Sequence, residues 1–121
     1  MKRIKLLLTI ILLGNYVIQA ENLISPDNNF RLDFTLNEKG EPTYSLAYKG
    51  KTVIKPSKLG FELLNAPALS AEFSTVKAET STVDETWQPV WGEVKEIRNN
   101  YNELLVVLEQ KKEKRTMKIR F

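Results

Sequence analysis

Phe30-Arg31-Leu32-Asp33-Phe34-Thr35-Leu36 is the stretch of sequence that decides the fold class. Apolar and polar residues alternate along it, so a β-strand over these positions would place its four apolar side chains on one face. Turn-forming residues flank it at 25–29 and 37–42, where Gly and Asn tolerate positive φ and Pro presets φ. The pattern predicts a half-buried strand between two turns.

The same kind of pattern continues along the chain. Tyr44, Leu46 and Tyr48 would share one face of a second strand, and Lys49-Gly50-Lys51 turns the chain into a third strand at 52–54. Further strands are predicted at 59–64, 71–77, 94–98, 102–110 and 116–121. No segment has the 3.6-residue apolar repeat of a helix. Short strands with turn signals roughly every 8 to 12 residues predict an all-β sandwich or barrel.

The first 20 residues have the composition of a targeting segment. Lys2, Arg3 and Lys5 form a basic start, residues 6–13 form an apolar run broken only by Thr9, and Ala20 ends a small-residue cleavage site. We therefore predict a signal peptide at residues 1–20. The mature protein, from residue 21, would be exported to a periplasm or secreted.

A membrane anchor is the competing interpretation of this segment. Its apolar core is about half of the roughly 20 residues needed to span a bilayer, and Asn15 and Gln19 interrupt its extension. A lipid anchor would need a cysteine after the cleavage site, and the sequence contains no cysteine. We expect no stable membrane anchor.

The basic charge of the chain belongs to this leader. The leader holds three of the 18 basic residues and none of the 15 acidic ones, so the mature chain has 15 of each and no net charge. A neutral domain does not attract polyanions, and nucleic acid is not an expected partner. The cationic run at 111–115 is predicted to be a solvated hairpin tip.

Composition removes most catalytic classes. The sequence contains no histidine and no cysteine, which excludes a Ser-His-Asp triad, a thiolate nucleophile and an ordinary zinc site. Glycoside hydrolysis needs two carboxyl groups about 5 to 10 Å apart, and no Asp or Glu pair has the i, i+2 spacing that would place both on one strand face. A pair of carboxylates on neighbouring strands is possible but cannot be read from the sequence. We predict no catalytic residue in this chain.

The most distinctive segment is 84–93, which holds both tryptophans, Trp87 and Trp91. An aromatic face can cover the C–H side of a sugar ring while polar neighbours bind its hydroxyl groups. Trp87, Trp91 and Glu93 are therefore candidate substrate-binding residues. The alternative is that the tryptophans pack between the sheets, and composition favours it. We expect at least one of the two rings to lie in the core.

Residues 84–104, which contain this segment, resemble the N-terminal domain of glycoside hydrolase family 97. The resemblance continues at Ser25-Pro26-Asp27-Asn28, Pro42-Thr43-Tyr44, Val53-Ile54-Lys55-Pro56-Ser57 and Leu59-Gly60, and covers most of residues 23–121. It implies a galactose-mutarotase-like β-supersandwich of antiparallel sheets. Residues 21–121 would form part of that domain.

The resemblance also implies a parent enzyme that acts on α-glucosides or α-galactosides with calcium at its active site. Such enzymes carry a central (β/α)8 barrel and a C-terminal β domain. Both catalytic carboxylates belong to the barrel, and the acidic calcium ligand from the N-terminal domain belongs to a stretch beyond Phe121. No catalytic or metal-binding residue therefore carries over to this chain.

The chain ends at Phe121 inside an alternating strand, which indicates an incomplete sheet. We therefore expect a truncated N-terminal scaffold of an exported family 97 glycoside hydrolase, inactive alone, whose partner is the catalytic barrel. The alternative is a free-standing periplasmic carbohydrate-binding module with an α-linked oligosaccharide as its ligand. The export signal, the neutral charge and the paired tryptophans motivate that alternative.

Overall fold

The computed structural model describes residues 20–121, which contain seven β-strands joined by turns and loops. They are β1 (Ala20–Ile24), β2 (Phe30–Leu36), β3 (Pro42–Tyr48), β4 (Lys51–Lys58), β5 (Ser74–Trp87), β6 (Ile97–Gln110) and β7 (Arg115–Arg120). The predicted signal peptide lies outside the described residues except for Ala20. Within those residues, no helix is long and apolar enough to cross a membrane.

The strands form two antiparallel sheets. Strands β1 to β4 pair in the order β1-β2-β3-β4, and strands β5 to β7 pair in the order β5-β6-β7. Every pairing between neighbouring strands is antiparallel. The prediction of an all-β fold with antiparallel sheets is therefore confirmed.

Alternation along β2 sets the inner face of the first sheet. Phe34 pairs with Tyr44, and Leu36 pairs with Pro42 on β3. Phe34, Leu36 and Pro42 are buried, as the period of two predicts. The predicted turn after β3 is also present: Lys49 and Gly50 both have positive φ, 47° and 78°, the backbone that a two-residue hairpin prefers.

Strands β6 and β7 supply the other side of the core. Alternate residues of β6 are completely buried and pack with Met117 of β7 between the two sheets. The ring of Phe121 lies 5.8 Å from that of Phe34 and 6.0 Å from that of Tyr44, so it joins the two sheets. The buried core comprises Phe34, Leu36, Phe73, Leu104, Val106, Leu108 and Met117.

A backbone contact at Gly40 also holds the two sheets together. The Phe73 amide donates a hydrogen bond to the Gly40 carbonyl at 3.1 Å, and the Glu72 amide donates to the Lys39 carbonyl at 2.9 Å. Gly40 has a φ of +67°, and a Cβ there would lie 2.5 Å from the Phe73 nitrogen and oxygen. Only glycine fits this close approach of two backbones.

The end of the β6–β7 hairpin carries a buried polar residue. Gln110 is 4% exposed, and its Nε2 donates to the carbonyl oxygens of Ala71 at 2.6 Å and Ala68 at 3.1 Å. Its Oε1 accepts a hydrogen bond from Arg115 at 2.7 Å. The predicted hairpin turn at 111–114 is confirmed, but Arg115 is half-buried against the 67–71 loop and is not part of a solvated tip.

Several predicted strand boundaries are wrong. The segment 59–64 is not a strand: Phe61 makes one bridge to Leu69, and Phe61 is exposed. The strand predicted at 71–77 begins at Ser74 and continues to Trp87, and the two strands predicted at 94–98 and 102–110 are the single strand β6. Strand β1 was not predicted. In the segment 59–64 and along most of β5, both faces of the chain are exposed, so these stretches show no apolar period.

Candidate functional site

The β5–β6 hairpin extends beyond the sandwich. Each strand has 14 residues, but β7 pairs with β6 only over residues 105–110. Residues 81–86 and 98–103 therefore form a two-stranded extension about 20 Å long at the usual strand rise. We call these residues the arm, and we call residues 87–97, the last strand pair with its connecting loop, the tip.

Cross-strand side-chain bonds stiffen the arm. The Arg98 guanidinium donates two hydrogen bonds to Asp84, at 2.8 and 2.7 Å, and these bonds lower the pKa of the Asp84 carboxyl and raise the pKa of Arg98. Thr82 donates to Asn102 at 2.8 Å. Asn102 in turn donates to the carbonyl of Ile24 at 2.7 Å, which attaches the base of the arm to the first sheet.

Both predicted substrate-binding tryptophans lie at the tip, and both are exposed. Trp87 is 49% exposed and Trp91 is 88% exposed, and their neighbours Val90 and Val94 are 89% and 59% exposed. The expectation that at least one tryptophan lies in the core is therefore wrong for the packing of residues 20–121. The reason is geometric, because the arm carries both rings away from the space between the sheets. Glu93 is exposed beside them.

Few internal contacts hold the loop of the tip. Within residues 20–121, no backbone–backbone hydrogen bond involves residues 88–96. One side-chain bond crosses the loop, from Gln88 Nε2 to Glu96 Oε1 at 3.4 Å. The peptide groups of the loop are therefore free to bond to water or to another molecule.

The charges around the tip are predominantly acidic. Asp84 and Arg98 form an ion pair and neutralise each other. The remaining charged residues are three glutamates and one lysine: Glu85, Glu93, Glu96 and Lys95. A surface of aromatic and aliphatic side chains edged by carboxylates can bind either a sugar or an apolar surface edged by cations.

A second concave region lies between the sheets at the base of the arm. It is an open apolar cleft of about 410 Å³, lined by Leu23, Phe30, Leu32, Leu46, Tyr101 and Phe121 among others. The Phe30 ring lies 4.8 Å from the Tyr48 ring at its margin. No charged side chain lines the cleft, so the cleft mainly offers apolar packing surface.

The carboxylates of the arm are placed apart from one another. Asp84 and Glu85 point to opposite faces of β5, where Asp84 binds Arg98 and Glu85 accepts a hydrogen bond from Asn99 at 3.2 Å. Ca²⁺ requires six to eight oxygen ligands, and residues 20–121 contain no group of three or more acidic side chains that could hold a metal ion. The described residues do not fit the calcium site that the resemblance implies for the parent enzymes.

Sequence reasoning missed the arm itself. The first strand of the arm has the sequence Ser-Thr-Val-Asp-Glu-Thr at residues 81–86. It lacks an apolar period because both of its faces are exposed. Its threonines and valine are β-branched, and this enrichment was the available signal for a strand. A strand predicted from this enrichment would have ended at Trp87, outside the core.

Comparison with known proteins identifies the family of this chain. The model of the glycosyl-hydrolase 97 N-terminal family matches residues 23–121. A glycoside hydrolase family 97 enzyme from Pseudoalteromonas sp. strain K8 has a similar fold, with a TM-score of 0.76 and 30% identity over 84% of this chain, in its structures with panose and with acarbose. A β-arabinopyranosidase also has this fold, with a TM-score of 0.71 and 23% identity over 84% of the chain.

These matches cover only a small part of the solved enzymes. The matched region is 15% of the Pseudoalteromonas enzyme and 16% of the β-arabinopyranosidase. The range of the family model, residues 23–121, includes both antiparallel sheets and ends just after β7. With a family model that matches 23–121 and a solved family enzyme at 30% identity, this chain belongs to the N-terminal domain family of the family 97 glycoside hydrolases.

Proposed function

We propose that this chain is the N-terminal scaffold of an exported family 97 glycoside hydrolase that acts on α-glucosides or α-galactosides. In this role, residues 21–121 pack on a catalytic (β/α)8 barrel and help to shape the mouth of its active site. The observation that carries the proposal is the family match over residues 23–121, which runs through both sheets.

The chemistry of the described residues supports a scaffold role. The two adjacent carboxylates of the arm, Asp84 and Glu85, are bound to Arg98 and Asn99 on opposite faces of β5, so in this proposal the acid and the nucleophile or base of glycoside hydrolysis would come from the barrel. Calcium, where the parent enzyme uses it, would also be held by residues outside this range. The panose and acarbose complexes of the Pseudoalteromonas enzyme support a saccharide as the substrate class.

The experiment has two parts. The DNA that follows codon 121 is sequenced, and we expect a frame that encodes a (β/α)8 barrel. The 121-residue chain and the longer product are then assayed on p-nitrophenyl α-glucoside and α-galactoside. The longer product should hydrolyse one of them and the chain neither. Unrelated downstream DNA, or turnover by the chain that disappears in Glu93→Gln, would contradict the proposal.

Export has its own measurement. If residues 1–20 are a signal peptide, the protein recovered from the periplasm or the medium of the producing cell begins at Glu21. Protein that stays in the cytoplasm with Met1 or Lys2 at its N-terminus would disprove export while leaving the scaffold role unaffected.

A second candidate function is a free-standing carbohydrate-binding module. The exposure of Trp87 and Trp91 beside Glu93 favours it, because sugar-binding platforms are formed by accessible aromatic rings. Calorimetric titration of the chain with maltooligosaccharides tests this function. Saturable heat that is lost in Trp91→Ala and kept in the exposed-site control Val53→Ala would support it, and the absence of heat at millimolar sugar would exclude it.

A further inference from the structure

We propose that the tip docks on the catalytic part of the same enzyme, in an apolar recess edged by lysine or arginine side chains. This inference rests on the proposed function, since it needs a catalytic part in the same polypeptide. It assigns the contact to one surface, residues 87–97, and it does not use the inner faces of the sandwich.

Comparison of the two ends of β6 provides the first argument. At one end, the turn 111–114 has the sequence Lys-Lys-Glu-Lys, an ordinary solvated turn. At the other end, the tip exposes Trp87, Val90, Trp91 and Val94. Clustered exposed apolar side chains with polar surroundings mark an interaction site. The two ends of one strand therefore have different environments in the intact protein.

The shape of the arm provides the second argument. The arm holds the tip about 20 Å beyond the last residues that pair with β7. The Arg98–Asp84 pair joins its two strands, and the Asn102–Ile24 bond attaches its base to the first sheet. An extension that is stiffened by polar bonds and ends in apolar side chains has the form of a contact element that reaches a neighbouring domain.

The backbone of the tip provides the third argument. Residues 88–96 make no backbone–backbone hydrogen bonds within residues 20–121, so their exposed amide and carbonyl groups are available to a binding partner. A protein surface can supply both donors and acceptors to such a loop as well as apolar contact.

The composition of the tip indicates that its binding partner is a protein surface. Sugar platforms use aromatic faces with polar neighbours, whereas Val90 and Val94 add aliphatic surface suited to packing against a protein. A second copy of the tip would bring like charges together, because Glu85, Glu93 and Glu96 are in excess. The matched region is 15% of the Pseudoalteromonas enzyme, so the greater part of such an enzyme is available as the occupant.

Hydrogen–deuterium exchange tests the inference. Peptides covering 88–96 are compared between the 121-residue chain and the full polypeptide that contains the catalytic part. We expect these amides to exchange at least about tenfold more slowly in the full polypeptide, because docking removes them from water. The turn 111–114 is the internal control and should exchange equally in both.

Two variants of the full polypeptide connect the protection to the side chains. Trp91→Ala should return the exchange of residues 88–96 to within about twofold of the chain alone. Val53→Ala, which truncates an exposed valine on β4, should not change it. Glu93→Lys should also reduce the protection, whereas Lys112→Glu should leave it intact. The charge-reversal pair keeps the test valid if Trp91→Ala misfolds.

The possible outcomes separate the two proposals. If no catalytic part follows the chain, the proposed function and this inference both fail. If a catalytic part is present and residues 88–96 exchange equally in both proteins, the docking inference alone is overturned. Protection that needs added maltooligosaccharide, or that appears in the chain alone as its concentration rises, would identify a sugar or a second copy as the occupant and would also overturn it. Protection that is already complete in a polypeptide ending before the catalytic barrel would identify the rest of the N-terminal domain as the occupant and would overturn it too.

Discussion

The two halves of the β5–β6 hairpin have the same backbone pairing and opposite environments. In the proximal half, residues 104, 106 and 108 of β6 are completely buried against the first sheet. In the distal half, most side chains of the arm are exposed to solvent, and its strands are joined by polar pairs such as Arg98–Asp84. The comparison shows that strand pairing extends well beyond the hydrophobic core, and that the buried and the exposed apolar side chains lie at different ends of one hairpin.

The largest expected effect is in the proximal half. Leu108→Ala should lower the free energy of unfolding by about 2 to 5 kcal/mol, because it removes a completely buried side chain and leaves a cavity. Val83→Ala on the arm should cost less than about 1 kcal/mol, since it weakens one cross-strand pair with Tyr101. Urea denaturation of both variants measures the difference. Equal losses would show that the arm is part of the cooperative core.

A smaller effect is expected at the end of β6. Gln110→Ala should cost about 1 to 3 kcal/mol, because the Ala71 carbonyl loses its side-chain donor, the Ala68 carbonyl keeps only Arg115, and Arg115 loses an acceptor. Lys112→Ala, in the adjacent turn, is the matched control and should be close to neutral. If Gln110→Ala unfolds at the same urea concentration as wild type, the 67–71 loop is not held by this network.

A pH-dependent contribution is expected in the turn between β1 and β2. Hydrogen bonds from the Ser25 hydroxyl and from the Asn29 amide and side chain lower the pKa of Asp27 to about 2. Because the folded pKa lies below the unfolded value of about 3.9, the stabilisation is fully present above pH 4 and is lost as pH falls toward 2. Asp27→Asn should therefore be less stable than wild type at pH 6, with the difference shrinking between pH 4 and 2. A constant difference over this range would contradict the assignment.

The smallest effect on stability is expected at the tip. Trp91→Ala in the 121-residue chain should leave the free energy of unfolding within about 0.5 kcal/mol of wild type, because the ring is almost completely exposed. The same measurement on Val90→Ala provides a second estimate from the tip. A loss of several kcal/mol at Trp91 would mean that the ring packs in the core in solution, as composition alone had favoured.

The sequence predicts the parts of this fold in which one face of a strand is buried. The alternation at residues 30–36 and 116–121 is visible because Phe34 and Met117 face the core while their neighbours face solvent. The arm does not have that asymmetry, and its six-residue strands therefore carry no apolar period. The contact of Gly40 with Phe73 joins positions 33 residues apart in the chain and cannot be inferred from local pattern.

The candidate site follows the same division. Its residue types were predictable from the sequence. Trp87 and Trp91 are its only two tryptophans, and Glu93 lies two residues after the second. Their exposure was not predictable, because a tryptophan is buried more often than it is exposed and the arm that carries these two had not been identified. The wrong prediction that a tryptophan lies in the core therefore has the same cause as the wrong end of the strand predicted at 71–77, which in the structure continues to Trp87.

The position of both tryptophans at the tip has a consequence for spectroscopy. Intrinsic tryptophan fluorescence of this chain reports on residues 87 and 91 and on no part of the core. Unfolding moves Trp91 from one aqueous environment to another, so its emission changes little while the sandwich melts. Far-ultraviolet circular dichroism follows the strands themselves and records that transition. A difference between the two probes would then reflect where the chromophores lie, and it would not by itself indicate a folding intermediate.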